Sequence, residues 1–288
     1  MVLRAKLPEK SVGTDSDTVG GVRVDLGIGG KSAIVSGSSK GIGRAVATAL
    51  AAEGCNVVMV ARGEAELVDA AAAVREVARG DVHHVVADMT VRDDVDRVVR
   101  AGADRFGRID IAVSNVAGPK SLGFEGTDDE AYVDAYRAMV LSVVWLARGV
   151  LPHMRAAGWG RLVNIGSDCV KDVHREVPLL LANVTRAASL GLLKTLSDEV
   201  ARDGITVNNI AVGAILTENR ITFHERFAAS QGLDVADVQN ANTDHIPVGR
   251  FGDPSELAAA VLFLCSEQAA FITGETVAVN GGRSRTLL

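Results

Sequence analysis

The sequence predicts an α/β fold: a single doubly wound parallel sheet of about seven strands with helices on both faces. Short, nearly continuous apolar runs such as SAIVS and NVVMVA alternate along the whole chain with longer helical stretches. Strands that are apolar on both faces are typical of parallel sheets covered by helices on both sides. Right-handed crossovers between successive strands then divide the helices into two layers.

The predicted elements follow one another in a regular alternation. The runs SAIVSG, NVVMVA, VHHVVA and IDIAVS each precede a helical stretch, the fourth stretch being long and ending near Ala157. The later strands are RLVNIGS, ITVNNIA and TVAVN, separated by a helix around residues 179–204 and by SELAAAVLFLCSE. Several helices end at a glycine, as a left-handed cap requires. We therefore expect one domain over residues 22–288, without a linker or a repeat.

Two segments fall outside this alternation. Residues 1–21 are rich in Gly, Ser and Asp and have no periodicity, which predicts a mobile N-terminal tail. Residues 216–247 are polar and contain two helical stretches, ENRITFHERFAASQG and DVADVQNANTD. Their position after a late strand favours a lid around residues 216–247 that covers a substrate.

Composition excludes several classes of function. The 288-residue chain has a net charge of −6 and no run of cations, which argues against nucleic acid or a membrane surface as partner. The longest apolar stretch, Met139–Leu151, is too short to span a bilayer. The three cysteines are widely spaced, which favours a reduced, cytoplasmic protein without disulfides or structural zinc. The scattered histidines predict no metal site. We expect a small-molecule substrate.

A glycine-rich turn joins the first strand to the first helix. Residues 36–45 read S-G-S-S-K-G-I-G-R-A. Glycines 37, 41 and 43 allow the backbone to turn tightly and to approach a pyrophosphate, and the following helix directs its free N–H groups at that anion. A turn that merely needs glycine is the alternative. The position between the first strand and first helix of a βαβ unit favours a dinucleotide site.

The second strand predicts which dinucleotide binds. It ends at Ala61-Arg62, where a site for NAD would place a carboxylate on the ribose 2′-hydroxyl. Lys40, inside the glycine loop, adds a second cation on the same side. Each cation alone would be interpreted as a solvated surface charge. Together, and without a carboxylate, they favour a 2′-phosphate and therefore NADP(H).

These segments, with several others, resemble the short-chain dehydrogenase/reductase family over about residues 22–282. The resemblance implies a Rossmann-type sheet, a nicotinamide cofactor, and a homo-oligomer, a dimer or commonly a homotetramer built on the fourth and fifth helices. The motifs that carry it are S-G-S-S-K-G-I-G-R-A, Asp88-Met89, Ser114-Asn115-Val116-Ala117, R-L-V-N-I-G-S167, G-I-T-V-N-N-I-A-V-G213, Thr217 and V-G-R-F-G-D-P-S-E-L-A…F-I-T-G-E-T-V-A-V-N-G-G.

The resemblance also assigns cofactor contacts. It implies that Asp88 bonds the adenine amino group beside Met89, that Asn115 and Ala117 support the cofactor, and that Thr217 lies near the nicotinamide amide. Two motifs depart from the family pattern, with S-N-V-A for N-N-A-G and V-G for P-G, and neither departure should prevent binding. The expected cofactor-binding residues are Gly37, Ser39, Lys40, Gly41, Ile42, Gly43, Arg62, Asp88, Met89, Asn115, Ala117, Arg186, Gly213 and Thr217.

The catalytic positions of the family are altered in this chain. Members use a serine, a tyrosine and a lysine, assisted by an asparagine. Ser167 keeps the serine place after the fifth strand. Counting along the fifth helix places the lysine at Arg186 and the tyrosine, four residues earlier, at Ala182; the asparagine place falls on Met139. The sequence therefore looks like a divergent subgroup lacking the catalytic Tyr and Lys.

No alternative alignment restores a phenol. Shifting the register puts Leu179 and Asn183 in the tyrosine and lysine places, and the two tyrosines of the chain, Tyr132 and Tyr136, match no motif. Arginine can hold the ribose hydroxyls of a cofactor, but it cannot relay protons because the guanidinium stays charged. The loss of general acid catalysis lowers the rate of a reaction by a factor of roughly 10²–10⁴.

The loop before the fifth helix carries possible replacements for the acid. It reads D-C-V-K-D-V-H-R-E-V-P and is slightly longer than is usual for the family. His174 titrates in the useful range, and Lys171 could do so if desolvated. Charged loop residues are more often solvated, and Cys169 is more often core filler than nucleophile. We expect Ser167, Arg186 and His174 as the catalytic residues.

The sequence thus favours an NADP(H)-dependent oxidoreductase that transfers hydride to or from a ketone or alcohol with an atypical active site. The alternatives are a non-redox enzyme (a lyase, isomerase or cyclase) that reuses the reductase pocket, and a non-catalytic NADP-binding protein. The intact nucleotide motifs favour the first, and the missing tyrosine favours the others.

Overall fold

A computed structural model describes residues 24–120, 122–173 and 178–287. The N-terminal segment 1–21, expected to be a mobile tail, lies outside these residues. The strands are β1 (Ser32–Ser36), β2 (Asn56–Ala61), β3 (Val82–Val86), β4 (Ile111–Ser114), β5 (Gly160–Ile165), β6 (Ile205–Val212) and β7 (Thr276–Val279). They form one sheet in the order β3-β2-β1-β4-β5-β6-β7, and every neighbouring pair is parallel. The predicted fold class is confirmed.

Helices cover both faces of the sheet. They are α1 (Gly41–Ala52), α2 (Glu64–Val77), α3 (Arg92–Phe106), α4 (Asp129–Tyr136), α5 (Ser142–Ala157), α6 (Leu180–Val200), α7 (Glu218–Gln231), α8 (Val235–Thr243) and α9 (Pro254–Cys265). No helix among the described residues is both long and apolar enough to cross a membrane.

The sheet lies between two hydrophobic cores, one on each face, and this explains why its strands are apolar throughout. In β1, Ala33 and Val35 pack with α1, α2 and α9 on one face, whereas Ile34 packs with α3 and α5 on the other. Successive side chains of a strand point to opposite faces, so a strand between two helical layers must be apolar at every position.

The strand order determines where a ligand can bind. β1 pairs with β2 on one side and with β4 on the other, so the chain runs outward from β1 through β2 to β3 and then crosses back to β4 on the opposite side of β1. In an open parallel sheet this reversal opens a crevice at the carboxyl ends of the strands. The glycine-rich turn after β1 lies at this crevice.

The long helix predicted to end near Ala157 is divided in two. A π-helical turn, Arg137–Leu141, separates α4 from α5. Such turns interrupt the regular backbone ladder and often occur at functional sites. Here the carbonyl of Met139 accepts a hydrogen bond of 2.7 Å from the Ser189 hydroxyl on α6. The interruption therefore joins α6 to the π turn.

A buried carboxylate joins the beginnings of β1 and β4. Asp110 is fully buried, and its Oδ2 accepts hydrogen bonds from the Ser32 N–H at 2.8 Å and from Arg108 Nε at 2.7 Å. Arg108 Nη2 donates to Oδ1 at 2.6 Å. Because Asp110 is fully desolvated, its charge depends on these three donors.

We expect Asp110→Ala to lower the free energy of unfolding by about 3 kcal/mol, because it leaves the Ser32 N–H and the Arg108 guanidinium without their acceptor. Urea denaturation followed by circular dichroism measures the change. The control is Asp104→Ala, which alters an exposed carboxylate of α3 and should change stability by no more than about 0.5 kcal/mol. Equal stability of the two variants would contradict the role assigned to Asp110.

Candidate active site

The glycine loop is fixed by contacts that exclude side chains. Gly37 has a φ of +60°, in the left-handed region that favours glycine. A Cβ added to Gly43 would lie 2.1 Å from the carbonyl oxygen of Gly37, so the first turn of α1 sits directly on the loop. The Ser38 N–H donates to the Val60 carbonyl at 3.0 Å and ties the loop to the end of β2.

The first turn of α1 presents backbone donors to the crevice. Within the part of the chain that the structure describes, the N–H groups of Ile42 and Gly43 have no acceptor, as is usual for helix N-termini that await an anion. The N–H of Gly41 donates to the Glu218 carboxylate at 3.0 Å, and Arg44 donates to the same carboxylate. An anion of this protein thus already lies at the α1 N-terminus, and the site fits a pyrophosphate.

Two cations lie beside the end of β2. Arg62 Nη1 is 3.9 Å from Asp88 Oδ2, and Lys40 Nζ is 3.8 Å from Glu66 Oε2. Both pairs are at the limit of contact, and Arg62 is 73 % exposed. Pairs of this kind contribute little to stability, so the cations can turn toward a phosphate. The other oxygen of Asp88 accepts from the Thr90 N–H at 2.9 Å.

The crevice between β1 and β4 is supported from both sides. The Asn115 N–H donates to the Ser36 hydroxyl at 2.8 Å, and its side-chain amide donates to the Gly37 carbonyl at 3.3 Å. From the other side, a Cβ on Gly41 would lie 3.2 Å from Thr217 Cγ2. The structure therefore brings Asn115 and Thr217 to the glycine loop.

The remaining residues predicted for the cofactor are placed as follows. Met89 is buried, Ser39 is half-buried and Ala117 is exposed. A Cβ on Gly213 would lie 2.5 Å from the Asn280 Cα, so glycine is required where β6 ends beside the chain that leaves β7. This close approach does not depend on the proline that usually precedes the glycine in the family motif.

Ser167 follows β5 and begins a short 3-10 turn, Asp168–Val170. Its hydroxyl oxygen accepts from the Cys169 N–H at 3.4 Å. Burial raises the pKa of the Cys169 thiol, so this cysteine stays protonated near neutral pH and is a poor nucleophile.

Arg186 reaches the end of β5 from α6. Its Nη1 donates to the Ile165 carbonyl at 3.3 Å, and a Cβ on Gly118 would lie 3.3 Å from its Nη2. The Nε atom is buried and has no partner among the described residues. Burial lowers the pKa of Arg186, but the guanidinium stays charged at neutral pH. It therefore has a donor available to a ligand hydroxyl or to water.

No phenol reaches Ser167 through a described contact. Ala182 is buried one turn before Arg186 on α6 and offers no donor. Tyr132 and Tyr136 lie on α4, and neither phenol hydroxyl forms a hydrogen bond within the described ranges. His174, the predicted acid, lies outside the described residues. Those ranges also contain no group of three His, Cys, Asp or Glu side chains that could hold a metal ion.

Three charged residues of the cleft lie outside the motifs that the sequence offered: Glu218, Arg220 and Arg283. Glu218 and Arg220 follow Thr217 by one and three residues. Because Thr217 was expected at the cofactor, their positions were a signal that both lie near the cleft. Arg283 gives no such signal. Its guanidinium comes within 4.0 Å of Asp168 because the chain turns back after β7.

The chain is similar to characterised reductases along most of its length. A family model described as enoyl-(acyl carrier protein) reductase matches residues 37–284. The chain is 32% identical over 257 residues to the 3-oxoacyl-[acyl-carrier-protein] reductase FabG of Vibrio cholerae, covering 89% of this chain and 98% of that protein. It is 33% identical to the short-chain reductase protein NovJ of Streptomyces niveus, with 87% and 93% of the two chains covered.

Solved structures agree with this similarity. The L-sorbose reductase of Gluconobacter frateurii, complexed with NADPH and L-sorbose, is 37% identical; it superposes with a TM-score of 0.88 over 92% of this chain and 100% of that one. An actinorhodin polyketide ketoreductase with NADPH is 28% identical, with a TM-score of 0.81 over 89% and 98%.

We expect Arg62→Gln to weaken NADPH binding about tenfold or more and to leave NADH binding unchanged, because a charged hydrogen bond to the 2′-phosphate is lost. Fluorescence titration of both nucleotides gives the two dissociation constants. Arg92→Gln, at an exposed arginine of α3, is the control. An equal loss for NADPH and NADH would contradict the role predicted for Arg62.

We expect Glu218→Gln to bind NADPH roughly three- to tenfold more tightly, because its carboxylate competes with a cofactor phosphate at the Gly41 N–H. The same titration measures this gain. Glu225→Gln alters an exposed carboxylate of the same helix and should bind as the unaltered protein does. Weaker binding by Glu218→Gln would mean that this carboxylate organises the loop instead.

Proposed function

Since the chain belongs to the short-chain dehydrogenase/reductase family, whose members are oxidoreductases, we propose that it uses NADP(H) to transfer hydride to or from a ketone or alcohol. The observation that carries the proposal is the first turn of α1, where backbone donors without acceptors meet a glycine loop that excludes side chains. Two similar structures, the L-sorbose reductase and the polyketide ketoreductase, contain NADPH.

Each end of the cofactor has residues suited to it. The N–H groups of Ile42 and Gly43 bind the pyrophosphate, and Arg62 and Lys40 bind the 2′-phosphate. Asp88 accepts a hydrogen bond from the adenine amino group through Oδ2, because Oδ1 already accepts from Thr90. At the other end Asn115 and Thr217 hold the nicotinamide half, supported by the contacts that each makes with the glycine loop.

Ser167 binds the reacting oxygen and Arg186 orients the sugar. The nicotinamide supplies or accepts the hydride when it is bound. The Ser167 hydroxyl donates to the substrate carbonyl, and the guanidinium of Arg186 donates to the ribose hydroxyls. The buried, unpartnered Nε and the anchoring bond to the Ile165 carbonyl support this role for Arg186.

Proton transfer is the step that distinguishes this protein. We place the protein in a divergent subgroup that lacks the catalytic tyrosine and lysine, because Ala182 has no acidic proton and the guanidinium of Arg186 does not release one. The proton then comes from the charged segment between Ser167 and α6, with His174 as the first candidate and Lys171 as the second. Residue 174 has the side chain suited to neutral pH.

The proposal extends to the whole chain. Residues 22–288 form one domain after the tail of residues 1–21, and α7 and α8 form the lid over the substrate. A homodimer or homotetramer is supported by exposed apolar side chains on α4 and α6, including Val133 and Val184. The three free, buried cysteines suit the cytoplasm.

The proposal is tested by mixing the protein with NADPH and a panel of ketones, or with NADP⁺ and the matching alcohols, and following the loss or gain of the absorbance of the reduced nicotinamide. We expect turnover, and we expect Ser167→Ala to lower kcat by about 10² or more, because the developing oxyanion loses its donor. Fluorescence titration should show unchanged NADPH binding in this variant. Tight NADPH binding without turnover of any ketone or alcohol would overturn the proposal.

The atypical site is tested by restoring the tyrosine and the lysine that the family has. The double variant Ala182→Tyr, Arg186→Lys should gain reductase activity toward simple ketones by about tenfold or more, since a general acid contributes roughly 10²–10⁴. His174→Gln should lower the kcat of the unaltered site and change its pH profile. A folded, NADPH-binding double variant without any gain would contradict the assignment of residues 182 and 186.

A further inference from the structure

A second charged cluster lies beside Ser167. Asp168 follows Ser167 and is 2 % exposed, and its Oδ2 is 4.0 Å from Arg283 Nη1. Arg283 belongs to the segment after β7. The chain turns there through Gly281 and Gly282, both with positive φ, and the Arg283 N–H donates to the Asn280 carbonyl at 3.2 Å. A hydrogen-bonded turn therefore directs Arg283 toward the cleft.

Arg220 approaches the same place from the lid. It lies in the first turn of α7, half-buried, with its guanidinium carbon 5.6 Å from the centre of the Phe251 ring. Burial, and then the positive charge of Arg283, lower the pKa of Arg220, while Asp168 opposes the effect. Over the described ranges, no acceptor takes a hydrogen bond from its guanidinium. Among these residues, all five of its donors are therefore left without an acceptor.

The neighbouring histidine does not change this balance of charge. His224 lies one turn along α7 from Arg220, is almost fully buried, and packs 5.4 Å from the Phe251 ring. Burial and the charge of Arg220 lower its pKa, so it is neutral at pH 7. Among the described residues whose charges act on Arg220, there is one further guanidinium and one carboxylate. An added anion would be attracted to both arginines.

The sheet order places this cluster where the rest of a substrate would lie. The nucleotide crevice is between β1 and β4, whereas Arg220 follows β6 and Arg283 follows β7. Ser167, at the end of β5, lies between the two. A ketone whose carbonyl accepts a hydrogen bond from Ser167 has the nucleotide on one side. The rest of such a substrate would extend on the other side, toward the two arginines.

We propose that Arg220 and Arg283 form a carboxylate-binding subsite, and that the substrate is an oxo acid rather than a neutral ketone. The choice of an oxo acid rests on the proposed reductase function; the binding of an anion does not. Arg283 is held by Asp168, and Arg220 supplies the free fork that a planar carboxylate matches in two hydrogen bonds.

The kinetic test compares an oxo acid with its own neutral ester. Levulinate should be reduced with a kcat/KM at least about tenfold above that of methyl levulinate. In Arg220→Gln and Arg283→Gln, the KM for levulinate should rise about tenfold while the KM for methyl levulinate stays unchanged. The preference for the acid over the ester then disappears. Arg226→Gln, at an exposed arginine of the same helix, should keep it. An ester reduced as well as the acid, or a preference that survives Arg220→Gln, overturns the subsite.

A phosphate arm separates the two kinds of anion. Dihydroxyacetone phosphate and dihydroxyacetone form a second matched pair, and levulinate should show the larger Arg220-dependent preference. A larger preference for the phosphate would overturn the carboxylate assignment. If Arg220→Gln does not fold, Arg220→Lys keeps the charge without the planar fork and should raise the levulinate KM about threefold.

A binding measurement separates the subsite from the reaction. Glutarate, which has no ketone, is titrated calorimetrically into the NADP⁺-loaded protein and should bind about tenfold more weakly to Arg220→Gln than to Arg226→Gln. Such binding without turnover of any ketone would refute the proposed reductase and support the subsite. Turnover of ketones without binding of glutarate and without preference for acids would refute the subsite alone. Unchanged melting temperatures exclude misfolding as the cause.

Discussion

The ligand end of this protein depends on one close approach of backbone to backbone. The first turn of α1 rests on the carbonyl of Gly37, and no Cβ fits at Gly43 between them. Because of this contact, the N–H groups of α1 face the crevice where the strand order reverses, and Asn115 and Thr217 can reach the loop. Any side chain at Gly43 would move the helix start and take its donors away from an anion.

The distribution of charge matters more to this protein than its net charge. The chain carries a net charge of −6, yet five cationic side chains of the described residues lie along the cleft, three of them within 4.0 Å of a carboxylate. Arg62 and Lys40 lie beside the end of β2, Arg186 lies under β5, and Arg220 and Arg283 lie beyond Ser167. Local fields of this kind attract anionic ligands even when the whole molecule is acidic.

In our proposal, Arg186 and Ala182 stand where the family has a lysine and a tyrosine, and this separates two tasks that the pair usually performs together. A guanidinium orients hydroxyl groups well, because its donors are numerous and planar, but it keeps its protons. Orientation can therefore remain on α6, while proton transfer has to move to another element. In our proposal it moves to the charged segment after Ser167, and the carboxylate of the substrate is held next to that segment by Arg220.

The sequence by itself determined the sheet, the glycine loop and the position of Ser167, because apolar periodicity and glycine spacing are local properties of the chain. It also indicated Arg62 and Lys40 as candidates to bind a 2′-phosphate, since both adjoin motifs that can be counted. The tertiary structure alone decided that Glu218 lies at the N-terminus of α1, that the Met139 carbonyl meets Ser189, and that Arg283 returns to Asp168. These contacts join residues up to 177 positions apart, and such pairings are set by the packing of strands and helices rather than by any pattern along the chain.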